Sequence, residues 1–328
     1  MLTTTHEQTL AHRAAGLFKT FRGHTTLRLF VLFGVIALLT FTSIVSAMHF
    51  GGWGAPVNAE SILGTSQDLN TASNEGYPVM SPDGLSLYIV SDRLGGNGAL
   101  DIWVATRLSA DDPWGAPENL GLPVNSIFNE TSPAPVPGHG LFFVTSGRAD
   151  GCGLDDIYFT RFKHGVWEEP QNVGCHINSS AAESGPSYFE DENGHAILYF
   201  SSSRPGLGLQ DIYFSVDSGA AQLDSTLSNS FNDVRPYVRK DGLEIVFDSN
   251  RTGTLGLQDI WTASRETTAD DWSTPTHLGS LINSPAMEAR ATLSRDGLTM
   301  FFGSSRAGTQ GGSDLYMTSR EQLTGNDQ

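Results

Sequence analysis

The stretch Ser91-Asp92-Arg93-Leu94-Gly95-Gly96-Asn97-Gly98-Ala99-Leu100-Asp101-Ile102-Trp103 decides the fold, because both of its ends return four more times. Ser146-Gly147-Arg148 precedes Asp156-Ile157-Tyr158, and Ser202-Ser203-Arg204 precedes Asp211-Ile212-Tyr213. Ser249-Asn250-Arg251 precedes Asp259-Ile260-Trp261, and Ser304-Ser305-Arg306 precedes Asp314-Leu315-Tyr316. The aspartates stand 55, 55, 48 and 55 residues apart. A second set keeps the same register: Glu75, Glu130, Glu183, Asp233 and Glu288, with Pro78, Pro133, Pro186 and Pro236 three residues after the first four. Asn70, Asn125, Asn178 and Asn283 stand five residues before four of these acids. A fixed period of this length is the signature of a repeat architecture.

Each copy reads as four short strands. In the first, Tyr77–Ser81 leads into Pro82-Asp83-Gly84, and Asp-Gly between apolar runs marks a hairpin whose turn needs positive φ. Leu85–Ser91 alternates as a second strand, a Gly-rich loop follows, Ile102–Thr106 is a third, and Trp114-Gly115-Ala116-Pro117 opens an outer edge segment. Helical periodicity is absent after residue 50. The reading is an all-β fold: a five-bladed β-propeller of four-stranded antiparallel blades. The last copy lacks its Trp-x-x-Pro segment, and Trp53-Gly54-Ala55-Pro56-Val57-Asn58 at the other end supplies it. The ring is therefore expected to close through an N-terminal strand, removing an exposed edge. The third copy lacks both Trp and Pro after Ser215, so its outer strand is expected to be short or frayed.

Ser81-Pro82-Asp83-Gly84, the Ser-x-Arg runs and the Asp-Ile-Trp/Tyr runs resemble the WD40-like (PD40) repeat of TolB-type propellers over about 280 residues. The turn motif degenerates in later copies to Pro137-Gly138-His139-Gly140, Asn193-Gly194, Lys240-Asp241-Gly242 and Arg295-Asp296-Gly297. The N-terminal α/β domain of TolB has no room here. The resemblance implies an exported protein that binds partners.

Topology places the acids, the arginines and the aspartates on one rim of the disc. One reading is a ring of carboxylates (Glu75, Glu130, Glu183, Asp233, Glu288) binding a cation such as calcium, or a polar ligand, at the channel mouth. The other is a structural network in which Arg93, Arg148, Arg204, Arg251 and Arg306 tie loops to blades together with Asp101, Asp156, Asp211, Asp259 and Asp314. The structural reading is preferred, because catalysis needs unlike residues in unlike environments, whereas a device copied in every blade serves the repeat. The aromatic residues Trp103, Tyr158, Tyr213, Trp261 and Tyr316 read as packing between blades, and Trp53, Trp114, Trp167 and Trp272 as outer-strand packing. Cys152 and Cys175 fall on the same face; an exported location allows a disulfide between them, and two separate buried thiols are the alternative. His139, His164, His176, His195 and His277 share no repeat position, so no metal site or cofactor is assigned.

The organisation expected is a cytoplasmic basic n-region (1–27), a signal peptide or signal-anchor transmembrane helix (28–47) and the propeller (48–328). The 19 residues Leu29–Ala47 carry no formal charge and follow Lys19, Arg22 and Arg28. Val45-Ser46-Ala47 fits a cleavage site. Either form sends the propeller out of the cytoplasm, to the periplasm or to the outer side of the inner membrane, with membrane contact only through that helix. The net charge of the 328 residues is −17, and positions 48–328 hold 15 basic and 35 acidic residues. Nucleic acid is excluded as a partner on that ground.

Gly-x-Ser-x-Gly, His-Glu-x-x-His and the P-loop are all missing. The functional expectation is a non-catalytic scaffold or recognition module that binds a protein partner through its loop-rich face. The alternative is a carbohydrate-binding or glycoside hydrolase-like propeller with a glycan partner.

Overall fold

The structure is a computed structural model and describes residues 50–323, so the n-region 1–27 and the helix 28–47 lie outside the described residues. Among the described residues, no helix is long and apolar enough to cross a membrane. Five antiparallel sheets follow one another along the chain. Blade I holds Glu75–Met80, Ser86–Ser91, Asp101–Thr106 and Glu118–Asn119. Blade II holds Glu130–Val136, Gly140–Ser146, Asp155–Lys163 and Gln171–Asn172, with Val166–Trp167 pairing beside the third strand. Blade III holds Glu183–Glu190, Ala196–Ser202, Asp211–Val216 and Gln222–Leu223. Blade IV holds Asp233–Val238, Glu244–Ser249, Asp259–Ser264 and Thr276–His277, and blade V holds Glu288–Leu293, Thr299–Ser304 and Asp314–Ser319.

Val57–Asn58 completes blade V, pairing Val57 with Met317 and Asn58 with Tyr316. The closure extends through Gly54 N–H to the Ser319 carbonyl (2.8 Å) and Thr318 Oγ1 to the Gly54 carbonyl (2.6 Å). The hairpin turns are set by glycine, with φ of 73° at Gly84 and 75° at Gly242.

Buried apolar residues fall at successive strand positions, as at Ile245, Val246 and Phe247, so each blade has two apolar faces, each buried against a neighbouring blade. One core cluster lies at each of the five blade junctions. Val90 and Ile102 of blade I meet Leu141, Phe143 and Tyr158 of blade II. Leu87, Ile89 and Trp103 of blade I meet Phe301 and Leu315 of blade V, which seals the ring.

The third blade corrects the expectation of a frayed outer strand. Gln222–Leu223 pairs with Phe214 and Tyr213 over two residues, as the fourth strands do elsewhere. The shortfall lies before that strand, at Asp217-Ser218, where φ of 49° and 57° turns the chain back tightly. Ser215 Oγ then bonds the Gly219 carbonyl (2.7 Å), closing the turn without the Trp-bearing loop.

Candidate functional site

The five acids are not at the solvent-facing mouth. Their side chains are 0% exposed, and every one is saturated by donors. Glu75 accepts from Thr71 N–H (2.9 Å), Thr71 Oγ1 (2.7 Å), Ser91 Oγ (2.8 Å) and Arg93 Nη2 (3.1 Å). Glu130 accepts from Ser126 and Thr145 and lies 3.6 Å from Arg148; Glu183 is held by Ser179, Ser202 and Arg204; Glu288 by Ser284, Ser304 and Arg306. Asp233 accepts from Asn229 N–H, Ser249 and Arg251. A carboxylate already enclosed by an arginine and two or three further donors offers no free lone pair to a cation. The carboxylate ring is therefore a set of buried clamps rather than an open cage. Among the described residues, no group of three or more His, Cys, Asp or Glu is placed to hold a metal ion.

Within the repeat network the arginines pair with the first-strand acids and not with the third-strand aspartates. Each arginine reaches from its acid to a carbonyl of the incoming connection, as Arg306 Nη2 does to Ile282 O (2.6 Å). It also lies against the third-strand aromatic, with Cζ 4.8 Å from the ring of Tyr316 and 5.3 Å from that of Trp103. The aspartates instead cap the Gly-rich loops. Asp211 accepts from Leu207 N–H (2.7 Å) and Gly208 N–H, Asp259 from Leu255 N–H (2.6 Å) and Asp314 from Gln310 N–H (2.9 Å). Asp101 and Asp156 take the amides of Asn97 and Cys152 in the same way. The repeated Asn completes this frame: Asn125 bonds both the N–H (2.9 Å) and the carbonyl (2.8 Å) of Ile102 in the preceding blade, and Ser228 replaces it in front of blade IV.

The loop glycines serve packing between blades. A Cβ on Gly98, Gly208, Gly256 or Gly311 would stand 1.6–1.9 Å from a carbonyl oxygen of the connection to the next blade. Cys152 and Cys175 form a disulfide with Cα atoms 5.5 Å apart, joining the blade II loop to the connection that leaves the blade.

Where the blades differ, a different set of residues comes together. Two residues beyond each acid the first strand bulges, and the bulge residue has positive φ: Tyr77 (52°), Ser132 (52°), Gly185 (60°), Arg235 (52°) and Arg290 (62°). The bulge belongs to the repeat; the side chains do not. They stand on the innermost strands, and three of them meet. The Arg290 guanidinium lies 4.2 Å from the centre of the Tyr77 ring. Arg235 Nε donates to Asp248 Oδ2 (2.6 Å), and the Arg290 backbone N–H donates to Asp248 Oδ1 (2.8 Å). Asp248 is fully buried, at a second-strand position held by Val90, Val144, Ser201 and Gly303 in the other blades.

The charges interact. Burial would raise the Tyr77 phenol, but Arg290 and Arg235 outweigh it and its pKa lies below the ordinary 10.0. Burial raises Asp248 against the pull of Arg235. The Nε of Arg290 and the Oγ of Ser132, itself 4% exposed, are buried without a hydrogen-bond partner among the described residues. A cavity of about 490 Å³ reaches Tyr77 and Arg290 of this group, lined also by Asn74, Glu75, Asp92, Asn129 and Ser313, so that it spans blades V, I and II. That volume falls within the ~300–1,000 Å³ range of small-molecule sites. A larger cavity of about 870 Å³ opens at the hairpin-turn end, where Met80, Pro135, Tyr188, Tyr237 and Leu293 converge from all five first strands. Looking for recurring residues passes over Tyr77, Arg235, Asp248 and Arg290; their signal is the pair of aligned columns in which the copies disagree.

The sequence matches no protein-family model and no curated protein. Solved structures similar to it include a thermostable family-43 glycoside hydrolase, with a TM-score of 0.50 and 13% identity over 80% of this chain and 94% of that one. An α-L-arabinofuranosidase from Lactobacillus brevis gives 0.50 and 13%, over 82% of this chain and 96% of that one. A putative TolB from Agrobacterium tumefaciens gives 0.44 and 16%, over 77% and 92%, too distant a superposition to bear on function. At such identities the likeness is one of fold, so the TolB-type repeat remains a resemblance carried by the repeated residues.

Proposed function

We propose that the chain is a carbohydrate-binding five-bladed propeller that receives its ligand in the cavity floored by Tyr77 and Arg290. The observation carrying this reading is the break in the repeat. Acids, arginines and aspartates are spent identically in every blade on holding the ring together. The unlike residues Tyr77 and Arg290 line one cavity of ligand size, and Arg235 and Asp248, outside its lining, adjoin them. The likeness of the fold to propellers named for hydrolysing glycans favours a sugar as the ligand class. Hydrolysis itself normally uses two carboxylates, one of them a protonated acid. Here both Asp248 oxygens are engaged. At the cavity rim, burial pushes the Asp92 carboxyl up, but bonds from Asn74 more than offset it and leave it below the ordinary 3.8. The site is thus equipped for recognition.

Export is part of the proposal: a disulfide persists in an oxidising compartment, and the charge-free segment 29–47 would deliver the propeller there. A protein-scaffold reading has one observation of its own, the exposed leucines Leu94, Leu154, Leu209 and Leu257 on the Gly-rich loops (98, 67, 76 and 77% exposed).

A glycan microarray probed with the full-length chain tests the proposal. Binding that is lost in Tyr77→Ala and weakened in Tyr77→Phe, which keeps the ring packed, is the expected result. Capture of no glycan, or capture unaffected by Tyr77→Ala, removes the reading. Release of reducing sugar from a bound glycan would turn it into a hydrolase.

A further inference from the structure

We propose that the sugar recognised at this cavity carries a carboxylate, as a uronic acid does, and that Arg290 is its receptor. The inference rests on the glycan-binding reading and adds its chemical class.

Of the two guanidiniums, one is already committed. Arg235 is tied to Asp248 at 2.6 Å and also donates to Gln258. The other Asp248 oxygen takes the backbone amide of Arg290, and the Arg290 side chain makes no ion pair with this carboxylate. Arg290 forms no ion pair among the described residues, and its Nε is buried without a partner. The Tyr77 ring beneath it holds the cation in place without neutralising it. Arg290 lines the cavity, and a ligand that supplies two lone pairs in one plane can take its two terminal nitrogens together. A guanidinium fits a carboxylate in this forked geometry better than it fits a lone hydroxyl.

The surroundings limit how much negative charge can enter. Asp92 lines the same cavity and stays ionised, and the chain as a whole carries a net charge of −17. Like charges at the rim and over the surface disfavour a polyanion. One carboxylate flanked by neutral hydroxyls suits a cavity that offers the Arg290 cation with Asn74 and Asn129.

Isothermal titration of the full-length chain with a xylobiose bearing a single glucuronate, its methyl ester and neutral xylotriose tests the assignment. The acid is expected to bind at least about ten-fold more tightly than the ester, which keeps the sugar rings and hydroxyls and caps the charge with a methyl group. Arg290→Gln should erase that preference while leaving the melting temperature in place, and Arg290→Lys should keep part of it. Equal affinity for acid and ester, or a preference that survives in Arg290→Gln, overturns the carboxylate assignment and leaves the glycan reading standing. No binding by any of the three sugars, confirmed on an array of neutral and acidic glycans, removes both.

Discussion

Glu130 shows how a single residue can look functional and be structural. Its carboxylate is fully buried and takes the N–H and Oγ of Ser126, the Oγ1 of Thr145 and the charge of Arg148. Glu130→Gln removes the negative charge and leaves a guanidinium without its counter-ion. The expected loss of stability is about 3 kcal/mol, at the lower end for breaking a buried pair. Chemical denaturation reads this directly, and an unchanged midpoint would contradict the clamp. Tyr77 is the opposite case. It is the one of eight tyrosines lowered by its surroundings, whereas burial pushes Tyr88, Tyr158, Tyr188, Tyr199 and Tyr237 up to about 12. An ultraviolet difference titration should show one phenolate forming below pH 10, and Arg290→Gln should shift it upward. The sign of the linkage follows. A folded-state pKa below the unfolded one contributes stability that is present above the unfolded value and lost as pH falls through the folded one.

At the scale of elements, the Gly-rich loop is a joint. Its aspartate gathers the loop amides, and the glycine three residues before that aspartate lets a neighbouring carbonyl approach within a distance no side chain permits. Gly256 is the clearest instance, since a Cβ there would stand 1.7 Å from the Ala286 carbonyl oxygen. Gly256→Ala must push the blade IV loop away from the blade V connection and strain the amides held by Asp259. A cost of about 1–3 kcal/mol is expected, the range for overpacking a tight contact. Hydrogen exchange would localise it: the Leu255 and Gly256 amides should lose protection before the strands do. Uniform loss across the blade would show that the loop is no separate unit.

At the scale of the whole molecule, stability is distributed around the ring. Each blade buries both faces against neighbours, and Val57–Asn58 closes the last gap by pairing with blade V. The Cys152–Cys175 bond adds a local staple across 23 residues. For a loop of that size the chain-entropy account gives about 3 kcal/mol. Replacing both cysteines with serine should therefore lower the melting temperature with the glycan response intact, since neither lines the Tyr77 cavity. Equal melting of the oxidised protein and the double variant would show that the reduced loops stay docked through their own hydrogen bonds.

The architecture was legible because a propeller is periodic. Three residue sets in one register, Asp-Gly turns and a displaced Trp-x-x-Pro-Val-Asn segment determine blade number, strand count and closure without any long-range information. The candidate site was not legible in that way. Whether Glu75 and its counterparts faced solvent or were enclosed depended on where Thr71, Ser91 and Arg93 converge, and only the folded blade brings these together. The sequence also could not say that the arginines choose the acids over the aspartates, because both carboxylates lie on the same rim. Tyr77, Arg235, Asp248 and Arg290 come from three different blades, up to 213 residues apart in the chain. Local pattern carries the repeat, since each blade is built from contiguous residues. The tertiary structure decides the site, since ring closure alone places blade I beside blade V and lays Arg290 over Tyr77.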